Sequence, residues 1–258
     1  MKGIPHHMID IVEPDEEYSV AQFQQLARKV IQEIFERGKI PIVAGGTGLY
    51  VNSLIYPMDF TEAGEDMNFR KKMNALALEK GNEYLYRKLR EIDEKTATRL
   101  HPNDIRRIIR ALEIYHLTGK PMSYYRQDLE KTDKPYNTIM IGLTMERSGL
   151  YDRINRRVDI MIERGLVKEV EGLLKRGYSK DLTSMQGLGY KEIIAYLEGK
   201  RTLLESKEIL KRNTRRFAKR QYTWFKRIEN VYWVDRGIFD TVEEMANHLV
   251  KYIESQTK

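Results

Sequence analysis

The sequence predicts an α/β fold, a parallel sheet flanked by helices, with a second, helical domain inserted into it. Three observations carry that expectation. Residues 40–44 are a short, almost wholly apolar run between a helix-ending Arg37-Gly38-Lys39 and a glycine-rich turn, the pattern of a strand buried on both faces. Two more apolar runs, at 139–145 and 231–234, each come before a helical segment, and strands that alternate with helices build a parallel sheet. Between the first and second runs, residues 59–136 read as helices. The chain therefore divides into an α/β core of residues 1–58 and 137–258 and a helical insertion of residues 59–136.

A chain of 258 residues, 41% hydrophobic and 32% charged, has enough apolar material for one large core or two smaller ones. It contains no cysteine, which excludes disulfides and thiol-ligated zinc. No apolar run approaches the roughly 18 residues of a membrane span, and the first residues lack the apolar core of a signal peptide. A cytoplasmic protein with no membrane partner is the expectation, and a monomer the simplest assembly. The formal charge of +7 favours a polyanionic partner.

Taken in order, residues 5–11 read as a short extended segment. Adjacent His6 and His7 have no third ligand at helical or hairpin spacing, so no metal site is assigned to them. Ser19 is placed to cap a helix over 20–36, with Phe23, Leu26, Val30, Ile34 and Phe35 as its apolar stripe. After the run at 40–44, Gly45, Gly46 and Gly48 let the backbone approach a ligand, and a helix through Leu49, Val51 and Ile55 begins with free amides. That is the geometry of an α/β active-site crevice, although such turns also occur where nothing binds. In the insertion, helical periodicity covers 68–79 and 82–90. A third helix follows Asn103 or Asp104 as cap and ends at Gly119-Lys120-Pro121. Its apolar face carries Ile105, Ile108, Ile109, Leu112 and Tyr115; Arg106, Arg107 and Arg110 take the other, either as a solvated face or as a phosphate-binding one.

The run at 139–145 feeds an amphipathic helix to Arg164-Gly165, with Leu150, Ile154, Val158, Met161 and Ile162 as its stripe. Arg153 and Arg157 stand at the margin of that stripe, directed partly inward, and so call for an anion from the fold or from a ligand. After a further helix to Gly177, the turn Gln186-Gly187-Leu188-Gly189-Tyr190-Lys191 repeats the glycine device, as a tight helix connection or an anion contact. Residues 211–227 then hold Lys211, Arg212, Arg215, Arg216, Lys219, Arg220, Lys226 and Arg227 with no acidic residue between them. On a helix at about 100° per residue, all eight fall within roughly half the circumference. Leu210, Phe217, Trp224 and Phe225 take the other half, which anchors one face in the core and offers the other to phosphates. A last helix spans 241–253.

These segments, in this order, resemble the tRNA dimethylallyltransferases, also called tRNA isopentenyltransferases. The resemblance rests on Pro5-His6-His7 with Asp10, Gly45-Gly46-Thr47-Gly48-Leu49-Tyr50, and His101-Pro102-Asn103-Asp104 running through Arg107 to Arg110-Ala111-Leu112-Glu113. It continues in Arg153-Ile154-Asn155-Arg156-Arg157, Gly189-Tyr190-Lys191-Glu192, and Ala218-Lys219-Arg220-Gln221 to Trp224-Phe225, so it spans essentially the whole chain. It implies transfer of a dimethylallyl group from dimethylallyl diphosphate to N6 of the adenosine 3′ of the anticodon, with Mg2+. It also implies a P-loop-kinase-like sheet whose helical insertion grips the anticodon stem of the tRNA. Thr47 would be catalytic, lining the channel near the target adenine, and Arg157 would hold the diphosphate. Arg70, Arg106, Arg107, Arg110, Gln186, Gly187, Gly189, Tyr190, Lys191, Lys219, Arg220, Gln221, Trp224 and Lys226 would contact tRNA.

One departure is large. The family's first strand, its loop of the form G-P-T-x-x-G-K-[ST] and its Asp-Ser base motif have no counterpart, because the sequence contains no G-x-x-x-x-G-K-[ST]. The diphosphate cradle, the magnesium hydroxyl and the general base are therefore not assigned, and the expectation is an enzyme family member of doubtful catalytic competence with exposed sheet edges. A noncatalytic tRNA-binding protein is the main alternative. A small-molecule kinase comes behind it.

Overall fold

The computed structural model describes residues 3–58, 64–125 and 134–257. Residues 59–63 and 126–133 of the expected insertion lie outside the described residues. Two compact units form, one of Met1–Val51 with Asn137–Lys258 and one of Asn52–Tyr136. The described residues are mostly helical, with one small parallel sheet. No helix among them is long and apolar enough to cross a membrane.

The amino-terminal segment is less extended than expected. Met8 and Asp10 take φ of 62° and 51°, so the chain bends there. Helix α1 spans Val20–Glu36 and starts in a reciprocal cap: the Ser19 hydroxyl accepts the Gln22 N–H, and the Gln22 side chain accepts the Ser19 N–H. Its buried residues are Gln24, Ala27 and Ile31, while Leu26 and Phe35 of the expected stripe are exposed. Residues 40–44 form no strand. Ile40 is 77% and Ile42 86% exposed, and the segment has no ladder partner among the described residues. The apolar run is there, but an extended chain becomes a strand only when a neighbour accepts its hydrogen bonds. Helix α2, Gly48–Ile55, follows at once.

The second unit contains α3 (Met67–Lys80), α4 (Asn82–Ile92), a single turn α5 (Glu94–Ala97), α6 (Ile105–Thr118) and a single turn α7 (Met122–Tyr125). Leu85 and Leu89 of α4 and Ile108 of α6 are fully buried and pack with Met73 and Ala77 of α3. Tyr115 of the expected α6 stripe is exposed. Asp104 stands at the N-cap of α6 without capping it, and pairs with Arg107 at 3.1 Å. Gly119 closes the helix at φ 69°, a left-handed conformation that a β-carbon would strain.

The first unit resumes with strand β1 (Met140–Thr144), then α8 (Arg147–Glu163), α9 (Leu166–Lys175) and a 3-10 turn at Ser184–Gln186. Helix α10 (Tyr190–Leu197) and α11 (Leu203–Phe225) follow, then strand β2 (Val231–Asp235) and helix α12 (Val242–Gln256). The strands pair in parallel, Met140 opposite Val231 and Thr144 opposite Asp235. Of the expected sheet, these two runs pair as predicted and the third does not. Helices α8 to α11 enclose the main core, where Val158, Val170, Met185, Ile193 and Leu210 are buried. Ring stacking of Tyr232 on Tyr252, 3.7 Å between centroids, seats α12 on β2.

Glu113 of α6 carries the charge logic of the second unit. It is 0% exposed and receives Arg70 Nε at 2.8 Å, Arg110 at 2.5 Å and the Asp66 N–H at 2.8 Å. Burial pushes its carboxyl up, but the hydrogen bonds from Arg70, Arg110 and Asp66 outweigh that and hold it below the ordinary carboxylate range. A carboxyl depressed on folding adds stability that is full above its unfolded pKa and is lost as pH falls through the folded one, so the loss lies below about pH 4. Glu113→Gln should lower stability at pH 7 by about 2–3 kcal/mol, less than for a wholly buried pair because both arginines reach water. Urea unfolding followed by circular dichroism should show that deficit shrinking on the acid side; an equal deficit at pH 7 and at low pH would refute the assignment.

Candidate functional site

The glycine turn and the basic helix, far apart in sequence, meet in the first unit. Gln221 Nε2 of α11 donates to the Gly46 carbonyl at 3.0 Å. A methyl group added at Gly46 would lie 2.1 Å from that same Nε2, and one added at Gly48 would lie 2.2 Å from Cδ1 and Nε1 of Trp224. The glycines are thus required first by the close approach of α11. Any ligand approaches the turn from the side that α11 leaves open. Thr47, between them, is exposed; its carbonyl accepts the Tyr50 and Val51 N–H groups at 2.9 and 3.1 Å and so opens α2. Its hydroxyl has no partner among the described residues. Behind the turn, Tyr50 stacks on Phe23 of α1 at 4.4 Å.

Helix α11 divides less cleanly than its sequence predicts. Leu210 is in the core, but Phe217 and Trp224 are each 39% exposed, so the aromatic half of the last turns also faces solvent in part. Arg212, Arg216, Lys219, Arg220, Lys226 and Arg227 are exposed. Lys211 and Arg215 are not available in the same way. Lys211 pairs with Asp159 of α8 at 3.0 Å and with Glu208 at 3.1 Å, and Arg215 donates to Asn155 at 2.6 Å. Arg153 and Arg157 are exposed rather than directed inward, and neither has an ion-pair partner among the described residues. The α8 backbone turns the margin of the stripe outward, so these guanidinium groups remain open to an external anion.

The second glycine turn is tied to α11 by a residue that the sequence motif contains but to which it assigns no role. Glu192, buried, accepts the Gly189 N–H at 2.9 Å and the Asn213 side-chain amide at 2.8 Å. Gly189 takes φ 105°, which a β-carbon would strain. Tyr190 donates to Glu169; burial and that carboxylate push its hydroxyl up to about 12. Gln186 donates to the Lys180 carbonyl at 2.7 Å, and Lys191 is half exposed. In the second unit, Arg106 and Arg107 are exposed, whereas Arg70 and Arg110 are engaged by Glu113. The signal for that was present: Glu113 follows Arg110 by three residues on one helix face.

A family model described as IPP transferase matches residues 1–228. The chain belongs to this family. It is 56% identical over 252 residues to the tRNA dimethylallyltransferase of Acetivibrio thermocellus, covering 98% of this chain and 80% of that one. The Carboxydothermus hydrogenoformans tRNA dimethylallyltransferase is 56% identical over 249 residues, 96% of this chain and 79% of the relative. Among solved structures, the Bacillus halodurans tRNA isopentenylpyrophosphate transferase matches with TM-score 0.69 at 46% identity, over 99% of this chain and 79% of that one. A eukaryotic dimethylallyltransferase caught acting on tRNA matches with TM-score 0.78 at 30% identity, over 99% of this chain and 67% of that one. IPP transferase membership accounts for the order of the motifs along the whole chain.

Among the described residues no group of three His, Asp or Glu converges as a metal site. None of the described residues is therefore assigned to magnesium.

The packing of the glycine turn makes a graded prediction. Gly46→Ala pushes only on the end of a flexible glutamine side chain, whereas Gly48→Ala drives against an indole ring. Gly48→Ala should therefore lower the thermal midpoint more, and adding Trp224→Leu to it should recover part of the loss. Additive losses in the double variant would show that Gly48 and Trp224 do not press on one another.

Proposed function

We propose that this member of the IPP transferase family binds tRNA along α11 and the turn at 186–191. The reaction it serves is transfer of a dimethylallyl group from its diphosphate to N6 of the adenosine 3′ of the anticodon. The observation that carries the reading is the seating of the Gly46-Thr47-Gly48 turn on Gln221 and Trp224, which fixes an exposed threonine hydroxyl beside an exposed basic helix. In the reaction, N6 forms a bond to the allylic carbon, the bond from that carbon to the diphosphate oxygen breaks, and a proton leaves N6. Thr47 orients the adenine, and Arg157 neutralises the departing diphosphate. No side chain of this chain is assigned to take the proton.

A second reading, tRNA binding without transfer, needs only the exposed basic face of α11. Phosphorylation of a small molecule, by contrast, gives the basic face of α11 no task. Incubation of the chain with unmodified tRNA and labelled dimethylallyl diphosphate separates the readings: label in the tRNA supports transfer, and salt-sensitive binding without label supports the second.

Two further outcomes are expected. Arg157→Ala should weaken binding of inorganic diphosphate at least tenfold, the scale of a lost charge-assisted contact, with tRNA affinity nearly unchanged; comparable losses in both would sink the assignment. Lys219→Ala and Arg220→Ala should each reduce the slope of log Kd for tRNA against log salt by about 0.9. An unchanged slope in both variants would remove α11 from the interface.

A further inference from the structure

A cleft of about 250 Å3 in the first unit is lined by Lys180, Asp181, Gln186, Lys191, Glu198 and Lys200. Glu198 stands in it with one carboxylate oxygen 2.5 Å from Lys180 Nζ and the other 2.5 Å from Lys200 Nζ. Both lysines remain about half exposed or more, at 49% and 64%. Lys191 Nζ has its nearest carboxylate, Glu192, at 4.0 Å, beyond a hydrogen bond. Glu198 is also the C-cap of α10, the end of a helix where an anion is disfavoured. Its hydrogen bonds from Lys180 and Lys200 nonetheless lower its carboxyl to about 2. These cations hold an anion at a place that the helix alone would refuse it.

We infer that this cleft receives a backbone phosphate of the bound RNA, and that Glu198 is an internal anion which the phosphate displaces. A phosphodiester, like the carboxylate, shares one negative charge between two oxygens, and it adds Lys191 as a third ammonium partner. The two lysine contacts that Glu198 gives up pass to the phosphate, and the carboxylate, already 28% exposed, turns to water. The cleft is also continuous with the proposed interface. Lys191 immediately precedes Glu192, whose buried carboxylate is bonded to Asn213 of α11, between Arg212 and Arg216 in the helix. Cleft and basic helix are therefore held in one fixed arrangement. The inference rests on the tRNA-binding reading of the turn at 186–191 and extends it to Lys180, Glu198 and Lys200, which the sequence pattern did not single out.

The test is equilibrium binding of labelled unmodified tRNA to the full chain across roughly 50–300 mM KCl, the range in which phosphate contacts dominate affinity. Lys180→Ala with Lys200→Ala should lower the log–log slope by about 0.9, the share of one phosphate. Glu198→Gln should tighten binding about threefold, the scale of one exposed ion pair. Glu171→Gln, which removes an equal charge from the Lys175 pair on α9, should leave the affinity unchanged. Lys180, Lys200 and Glu171 are largely exposed and Glu198 is 28% exposed, so folding is checked by a cooperative circular dichroism melt in each variant. A wild-type slope in the double lysine variant, or equal tightening by Glu171→Gln and Glu198→Gln, overturns the cleft. If Lys219→Ala still lowers the slope in that case, the tRNA-binding reading stands; if the wild-type chain shows no salt-dependent binding, both fall.

Discussion

Helix α11 is the constraint on which the first unit depends. One face of a single helix must reach the core, the sheet and both glycine turns. Its early turns bury Leu210 and draw α8 in through Lys211 and Asp159. Asn213 then holds α10 through Glu192, Gln221 and Trp224 hold the first glycine turn, and Tyr222 packs edge-on against Trp233 of β2 at 5.3 Å. Because these anchors recur along its length, the cations between them are presented by a backbone already fixed in place. A partner that meets such a surface loses less free energy to ordering it than it would on a loop.

The two units manage buried charge by the same device. Glu113 and Glu192 are both withdrawn from water, and each is surrounded by donors before it can cost the full desolvation of a carboxylate. In the second unit the donors are the Asp66 N–H and two arginines, so part of its positive charge is turned inward at Arg70 and Arg110. In the first unit the donors are a backbone amide and an asparagine, and more of the cationic side chains stay on the outside. The net charge of +7 is therefore a poor guide to where an anion would settle. The partners of each cation are the better one.

Much of this was legible in the sequence. Helices α1, α6, α8, α11 and α12 follow from apolar periodicity and, for two of them, from the caps at Ser19 and Gly119. Strands β1 and β2 follow from short apolar runs between helices. The run at 40–44 looks the same in sequence yet stays unpaired, since pairing is a property of neighbours and not of the segment. The face that α1 buries was misplaced because Ala27 and Gln24 carry little hydrophobic signal, although their positions are the ones covered. Arginine is the hardest residue to read: Glu113 stands three residues after Arg110 as a local warning, but no local pattern marks Arg70 as held or Arg157 as open. The approach of Gln221 and Trp224 to Gly46 and Gly48 joins segments about 175 residues apart, a separation that no local pattern bridges.

The uninterrupted helix between Asn213 and Gln221 also acts as a ruler. Eight residues at 1.5 Å each put about 12 Å between the anchor of one glycine turn and the anchor of the other. Nothing in that span bends, and each residue turns the helix by about 100°. Inserting or deleting one residue there would change the spacing only slightly but would swing Gln221 and Trp224 away from the turn they hold. The length of this stretch is thus fixed more strictly than its composition, and an inserted residue is tolerated better in the loops on either side of the helix than within it.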